Sequence, residues 1–292
     1  MQFQPGILAA PVPAQARHLF FTLQSPAALP GVLDALLQQV DGSRVVAGFG
    51  APLVHALGRS IDGLRAFPQL TAAVDNPCTQ HDLWLWLRGE DRGELWLLSQ
   101  DLEKLLAPAF NLAEATDAFR HKSGFDLTGY EDGTENPIED AAVDAAIVAS
   151  DVPGLSGSSF AAFQLWRHDL DSFKALPQAE QDDIIGRRKA DNEELDEAPE
   201  SAHVKRTAQE SFDPEAFIVR RSMPWADQRG AGLAFLAFGN SFDAFEVQLR
   251  RMSGLEDGVV DALYRFSRPL TGGYYWCPPI IAQRLDLSAL LG

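Results

Sequence analysis

An α+β fold of two similar halves, each an antiparallel sheet with helices on one face, is what this chain predicts. Three observations lead there. Short apolar runs of strand length alternate with segments whose apolar residues recur at helical spacing. The order of these elements resembles itself on either side of a polar, glycine-rich stretch at 121–159, although no residue-level repeat is visible. The 292 residues, 46% hydrophobic and 22% charged, suffice for a sizeable core and are too apolar for whole-chain disorder.

Residues 17–23 (RHLFFTL) read as a strand. Ser25 then offers an N-cap with Pro26 at the first helical position, and Leu29, Val32, Leu33, Leu36 and Val40 follow at helical spacing. Residues 44–50 (RVVAGFG) form a second strand. Residues 82–88 (DLWLWLR) are apolar on both faces, which predicts a central or covered strand. A helix over 94–110 turns Leu95, Leu98, Leu102 and Leu105 inward. Beyond the polar stretch, 160–169 (FAAFQLWRHD) reads as a strand, 171–185 as helical, and 216–222 and 231–238 as strands. Asn240 or Ser241 then caps a helix carrying Phe242, Phe245, Leu249 and Met252.

Charge excludes two classes of partner. With 24 basic and 41 acidic side chains the net charge is −17, and the one basic cluster, Arg187-Arg188-Lys189, is too short to attract nucleic acid or anionic membrane. The two cysteines, Cys78 and Cys277, make no disulfide framework and suit a reduced compartment. The first residues lack a basic region, and Pro5, Pro11 and Pro13 interrupt their apolar stretch, so no signal peptide is read. No apolar run approaches the ~18 residues of a spanning helix. The expectation is a soluble, cytoplasmic protein.

Four motifs carry candidate chemistry. In Gly129-Tyr130-Glu131-Asp132-Gly133, followed by Asn136-Pro137, the glycines let backbone approach a flat ligand and Asp132 can present a carboxylate into a pocket; an Asx-type surface turn accounts for the same residues. The spacing is not that of an EF-hand. His203, in Ser201-Ala202-His203, follows the acidic stretch 191–200, which by charge alone is a solvated loop. With no HExxH and no Cys/His cluster, zinc is disfavoured; a lone histidine suits iron already held by a porphyrin, or a structural role. His168 is the rival ligand. On a strand over 216–222, Ile218, Arg220 and Ser222 share one face, so if Arg220 enters a pocket Ser222 accompanies it; two surface cations at a strand end are the alternative. Asp261 precedes Tyr264-Arg265-Phe266 and the aromatic run Tyr274-Tyr275-Trp276, by itself an ordinary helix-surface acid and a core segment.

Taken in order, the motifs G-Y-E-D-G-T-E-N-P at 129–137, D-I-I-G-R at 183–187, S-A-H-V-K-R at 201–206, I-V-R at 218–220, D-A-L-Y-R-F from 261 and T-G-G-Y to 274 resemble the dye-decolourising peroxidase family, in its short bacterial B-type branch. The resemblance spans most of the chain. It implies two ferredoxin-like domains of the dimeric α+β barrel type, 1–125 and 126–292, the second holding one b-type haem per subunit. His203 matches the proximal iron ligand, and Asp261 the acid that hydrogen-bonds its far nitrogen. Asp132 and Arg220 match the distal aspartate and arginine. Arg187 falls in a matched stretch and is expected near a haem propionate. Many relatives carry Asn where this chain has Ser222, whose hydroxyl is shorter and donates only once.

The activity implied is reduction of hydrogen peroxide through a ferryl porphyrin radical, followed by one-electron oxidation of dyes, phenolics or similar donors. Asp132 would move the peroxide proton and Arg220 stabilise the charge of O–O cleavage. Bulky dyes would react at the haem edge or through surface aromatics such as Tyr130, Trp225 or Tyr275. The family commonly forms dimers and larger rings. Two other readings remain at this point: a haem-handling protein for storage, delivery or iron release, and a non-haem acidic binding module built around 129–137.

Overall fold

The computed structural model describes residues 3–291. Its main sheet has ten strands: β1 (Gln15–Leu23), β2 (Val45–Phe49), β3 (Leu83–Gly89), β4 (Phe110–Phe119), β5 (Ser159–His168), β6 (Val219–Arg220), β7 (Met223–Asp227), β8 (Gly230–Gly239), β9 (Ser267–Pro269) and β10 (Gly273–Cys277). The first four lie in the spatial order β4-β1-β3-β2. In the second half the order is β10-β5-β8-β6, with β7 also pairing β8 and β9 pairing β5. Numbering the four path strands of each half from first to fourth, both halves read 4-1-3-2, which is the ferredoxin-like arrangement. The ladders of the two halves join at a single pair, Trp276 opposite Phe49, so the two sheets run on as one.

The helices are α1 (Leu29–Leu36), α2 (Ala51–Ala56), α3 (Arg92–Leu106), α4 (Glu139–Ala146), α5 (Leu170–Ala175), α6 (Gln178–Ile185), α7 (His203–Arg206) and α8 (Asp243–Met252). Helices α1 and α3 follow the first and third strands of the first half. In the second half α5 to α7 follow β5, and α8 follows β8. In α8, Phe245, Gln248, Leu249 and Met252 are buried at i, i+3, i+4 and i+7, so one stripe faces the sheet. The Ser241 hydroxyl accepts the Asp243 amide at 3.2 Å, whereas Asn240 reaches back to the Asp144 carbonyl. Among the described residues no helix is long and apolar enough to cross a membrane.

One expectation holds and others meet physical limits. Strand β3 is central, flanked by β1 and β2, with Leu83 to Leu87 all buried, as its two-faced apolarity predicts. The third-strand helix begins at Arg92, where the Asp91 carboxylate takes the Glu94 amide, and ends at Leu106 rather than running to 110. Phe110 opens β4, whose outward residues Asn111, Leu112 and Ala113 are exposed. The helical stretch 171–185 is two helices, because Pro177 lacks the N–H needed to continue the first. Helix α4 lies inside the stretch expected to be irregular.

One buried titratable group belongs to the scaffold. His18 lies beside Trp84 and Trp86, its ring nearly parallel to both with centroids 6.0 and 6.1 Å away, and its Nδ1 accepts the Trp84 indole N–H at 3.3 Å. Burial, only partly opposed by the Asp117 carboxylate, pushes its pKa down to about 3. A depressed imidazole contributes stability that is full above the unfolded pKa near 6.5 and is lost as pH falls through the folded one. Urea unfolding should therefore show stability falling by up to about 1.4 kcal/mol per pH unit below about pH 6 from this group alone. In His18→Leu that part of the slope should vanish; an unchanged slope would assign the acid sensitivity elsewhere.

Candidate active site

A cavity of about 900 Å³, counted out to its open mouth, lies between the sheet of the second half and its helices. One wall is the sheet face carrying Gln164, Trp166, Leu233, Phe235 and Arg220. The facing side is helical, with Leu249 and Met252 from α8 and His203 from α7, and the loop 126–132 forms part of the rim.

His203 is the first residue of a four-residue helix and lines the cavity. Its Nδ1 lies 2.7 Å from Asp261 Oδ2. The other carboxylate oxygen accepts the Leu263 amide at 2.8 Å, so both Asp261 oxygens are engaged and its side chain is fully buried. The segment is held by backbone bonds from Asp261 N to Met252 O and from Ala262 N to Ser201 O. A carboxylate can only accept, so Nδ1 carries a proton, and in the neutral ring the lone pair is on Nε2. His168 also lines the cavity, but its Nδ1 contacts Ser267 Oγ at 2.7 Å and its Nε2 contacts Asp126 Oδ1 at 3.3 Å. Both of its ring nitrogens are occupied, which separates it from His203 as a ligand.

Asp126 anchors the loop. Burial opposes its charge, yet hydrogen bonds from His168 and from the Thr128 hydroxyl and amide outweigh that and hold its pKa at about 2. Six residues on, the Asp132 amide donates to the Gly124 carbonyl at 3.0 Å, and the Asp132 carboxylate takes no partner among the described residues. Gly133 next to it has φ +81°, a left-handed conformation natural to glycine, and an added Cβ would stand 2.7 Å from Asn136 Nδ2. That Asn136 brackets the Arg220 backbone, accepting its N–H at 2.7 Å and donating to its carbonyl at 3.1 Å. The motif 129–137 thus positions both Asp132 and Arg220. The Arg220 guanidinium has no ion pair among the described residues, and its buried Nε has no partner.

Two of the sequence-derived residues lie elsewhere. Arg187 does not line the cavity; its guanidinium binds Glu135 at 2.6 Å, Glu194 at 3.3 Å and the Asn192 carbonyl at 2.9 Å. It pins the acidic 191–200 stretch to the 129–137 loop through these bonds. Ser222 is absent from the cavity lining as well, and its hydroxyl sits 3.4 Å from the Leu236 amide at the break between β6 and β7. The three aromatics expected at the surface are buried: Tyr130 at 4%, Trp225 at 0% and Tyr275 at 1% exposure. Of them only Tyr130 lines the cavity, and it also walls an outer cleft with Arg188 and Lys189. Gln164 and Trp166 were missed; the signal was their alternation with His168 in the run FAAFQLWRHD, which sets three polar-tipped side chains on one sheet face.

The donor set suits a flat, mostly apolar macrocycle that brings its own metal. Among the described residues no three His, Cys, Asp or Glu side chains converge to hold an ion. One imidazole with a free Nε2 suffices when four ligands arrive with the macrocycle. The apolar walls suit its faces, and the buried, unpartnered donors of Arg220 and Gln164 suit acceptor atoms of whatever is bound.

Comparisons with known proteins agree with this picture. The family model described as Dyp-type peroxidase, C-terminal, matches residues 124–282. A protein of Mycolicibacterium paratuberculosis named dye-decolorizing peroxidase is 31% identical, over 95% of this chain and 84% of its own length. Among solved structures, a dye-decolorizing protein from V. cholerae superposes with a TM-score of 0.83 at 26% identity, covering 95% of this chain and 97% of that one. A variant of Rhodococcus jostii DypB in complex with heme gives a TM-score of 0.81 at 25% identity, covering 92% and 94%.

Proposed function

The chain belongs to the dye-decolourising peroxidase family, haem-dependent enzymes, and from that premise we propose that the cavity holds one b-type haem with its iron on Nε2 of His203, opposed by Asp132 and Arg220. The fold and its neighbours are those of the B-type branch. The observation that carries the site assignment is the contrast between the two cavity histidines, one with a free Nε2 and one with both nitrogens engaged.

A bound haem would supply two-electron reduction of hydrogen peroxide and one-electron oxidation of dyes, phenolics or other donors. The chain's residues do the rest. Asp261 holds the proton on His203 Nδ1, orienting the ring and raising the basicity of Nε2. The Asp132 carboxylate, free of other partners, takes a proton from incoming peroxide on one Oδ and returns it to the departing oxygen. The Arg220 guanidinium, pre-set by Asn136 and lacking a counter-ion, stabilises negative charge that develops beside it, and needs little reorganisation to do so. The apolar walls exclude water, which strengthens that interaction.

The haem-bearing unit is taken as residues 126–292, in keeping with the matched 124–282. Two free cysteines among the described residues support a reduced, cytoplasmic setting. Adjacent exposed apolar residues on α3, Trp96 and Leu97, support assembly into a homo-oligomer, dimer or larger. The decisive experiment is titration of apoprotein with haemin. A Soret band saturating at one equivalent, followed by peroxide-dependent oxidation of a phenolic donor, is expected; saturation without turnover would return the protein to haem handling.

A further inference from the structure

Gln164 lies in the middle of β5 and is 1% exposed, yet half of its amide is unanswered. The Trp166 indole N–H donates to Gln164 Oε1 at 3.3 Å. An indole nitrogen can only donate, so the oxygen must face it and the amide cannot be flipped. That leaves Nε2, with two N–H donors, on the far side of the amide, buried and with no partner in the chain, in a side chain that lines the cavity. Leaving a buried donor unmade is costly, so a native protein does this where a ligand supplies the acceptor.

The sheet register places this donor. Gln164 pairs with Phe235, and the next ladder runs in one register from Arg220 opposite Ala237 to Met223 opposite Ala234. Gln164, Phe235 and position 222 therefore form one row across the sheet, one side-chain repeat along from Arg220 on the same face. His203 comes from the helical side. Meanwhile the Ser222 hydroxyl is turned to the Leu236 amide. Position 222 does not line the cavity, whereas Gln164, two strands away in the same row, does.

We propose that Gln164 is a ligand-binding residue of the peroxide side: its Nε2 donates a hydrogen bond to a small acceptor bound opposite His203, acting alongside Arg220 and supplying the neutral donor that Ser222 does not. Being donor-only in this orientation, it selects acceptors and small anions over ligands that need a base. The inference rests on the haem assignment above, and its test separates the two.

Ferric, haem-loaded protein is titrated with fluoride, a strong hydrogen-bond acceptor, and binding is followed in the Soret region. Gln164→Leu should weaken fluoride binding by about 3- to 10-fold, the value of one neutral hydrogen bond. The same substitution in apoprotein should change Tm little, since it removes one unanswered donor, Gln164 Nε2, and leaves another, the Trp166 indole N–H, without its acceptor. A purely structural glutamine would instead lower the apoprotein Tm and leave fluoride affinity alone, and that result overturns the proposal. If Gln164→Leu does not take up haem, Gln164→Met, longer and more adaptable, serves for the same two readings. A wild-type protein that shows no Soret band on adding haemin refutes the haem assignment; a normal band with fluoride affinity unchanged by both substitutions refutes only the role of Gln164.

Discussion

In His203→Ala, haemin should still enter the apolar cavity, but the spectrum of nitrogen-ligated iron should be lost and peroxide turnover should fall by at least about 1,000-fold, roughly 4 kcal/mol of barrier. The reason is local. His203 is the one cavity imidazole whose outer nitrogen is free, and its ring is held by a carboxylate whose second oxygen is also committed. Imidazole added to the medium should restore part of the spectrum, because the space left by the side chain is lined for that ring. An unaltered spectrum in the variant would remove His203 as the ligand and with it the orientation of the whole site. Asp261→Asn is the finer probe. An amide has one acceptor where the carboxylate has two, so either the His203 ring or the Leu263 amide must face an N–H. If the ring gives way, its tautomer reverses and Nε2 becomes protonated. A loss of about 10- to 100-fold in haem affinity or activity is expected, typical of groups that support a ligand.

Arg220→Ala should slow the reaction with peroxide by about 100- to 1,000-fold while haem content stays within a factor of about two. The fold should survive, because Asn136 grips the backbone of residue 220 and not its side chain. Arg220→Lys should recover only part of the rate, since an ammonium returns the charge but not the planar fork. Asp132→Ala, measured in the same stopped-flow experiment, ranks the two groups. A peroxide reaction unchanged in Arg220→Ala would take the guanidinium out of the chemistry and leave proton transfer by Asp132 as the main contribution.

The central strands and the α8 stripe were legible in the sequence because burial leaves a strong compositional trace. Five consecutive large apolar residues, Leu83 to Leu87, fit only a strand covered on both faces. Strand β4 left no such trace. It lies at the sheet edge with its start exposed, and FNLAEATDAF mixes apolar and polar residues without a clean period of two. The break at Pro177 was readable and was passed over, as a helical spacing carries across one proline when the flanking residues suit a helix on both sides. At the site, His203, Asp261, Asp132 and Arg220 could be named only because their motifs follow one another in a family order. Each alone had an ordinary structural explanation.

From sequence alone follow the α+β class, the paired halves and the acidic surface, set by composition and local periodicity, which act over a few positions along the chain; the residues able to do the chemistry follow from the family resemblance of their ordered motifs. Contacts between distant segments decided the rest. His168 loses its claim to iron through Asp126, 42 positions away, and Ser267, 99 away. Arg187 is drawn to Glu135 and Ser222 to Leu236, while Gln164 is oriented by a neighbouring indole and left with an unpartnered donor. A donor's availability depends on which acceptors folding brings beside it, and that is a property of the packed chain rather than of any stretch of it.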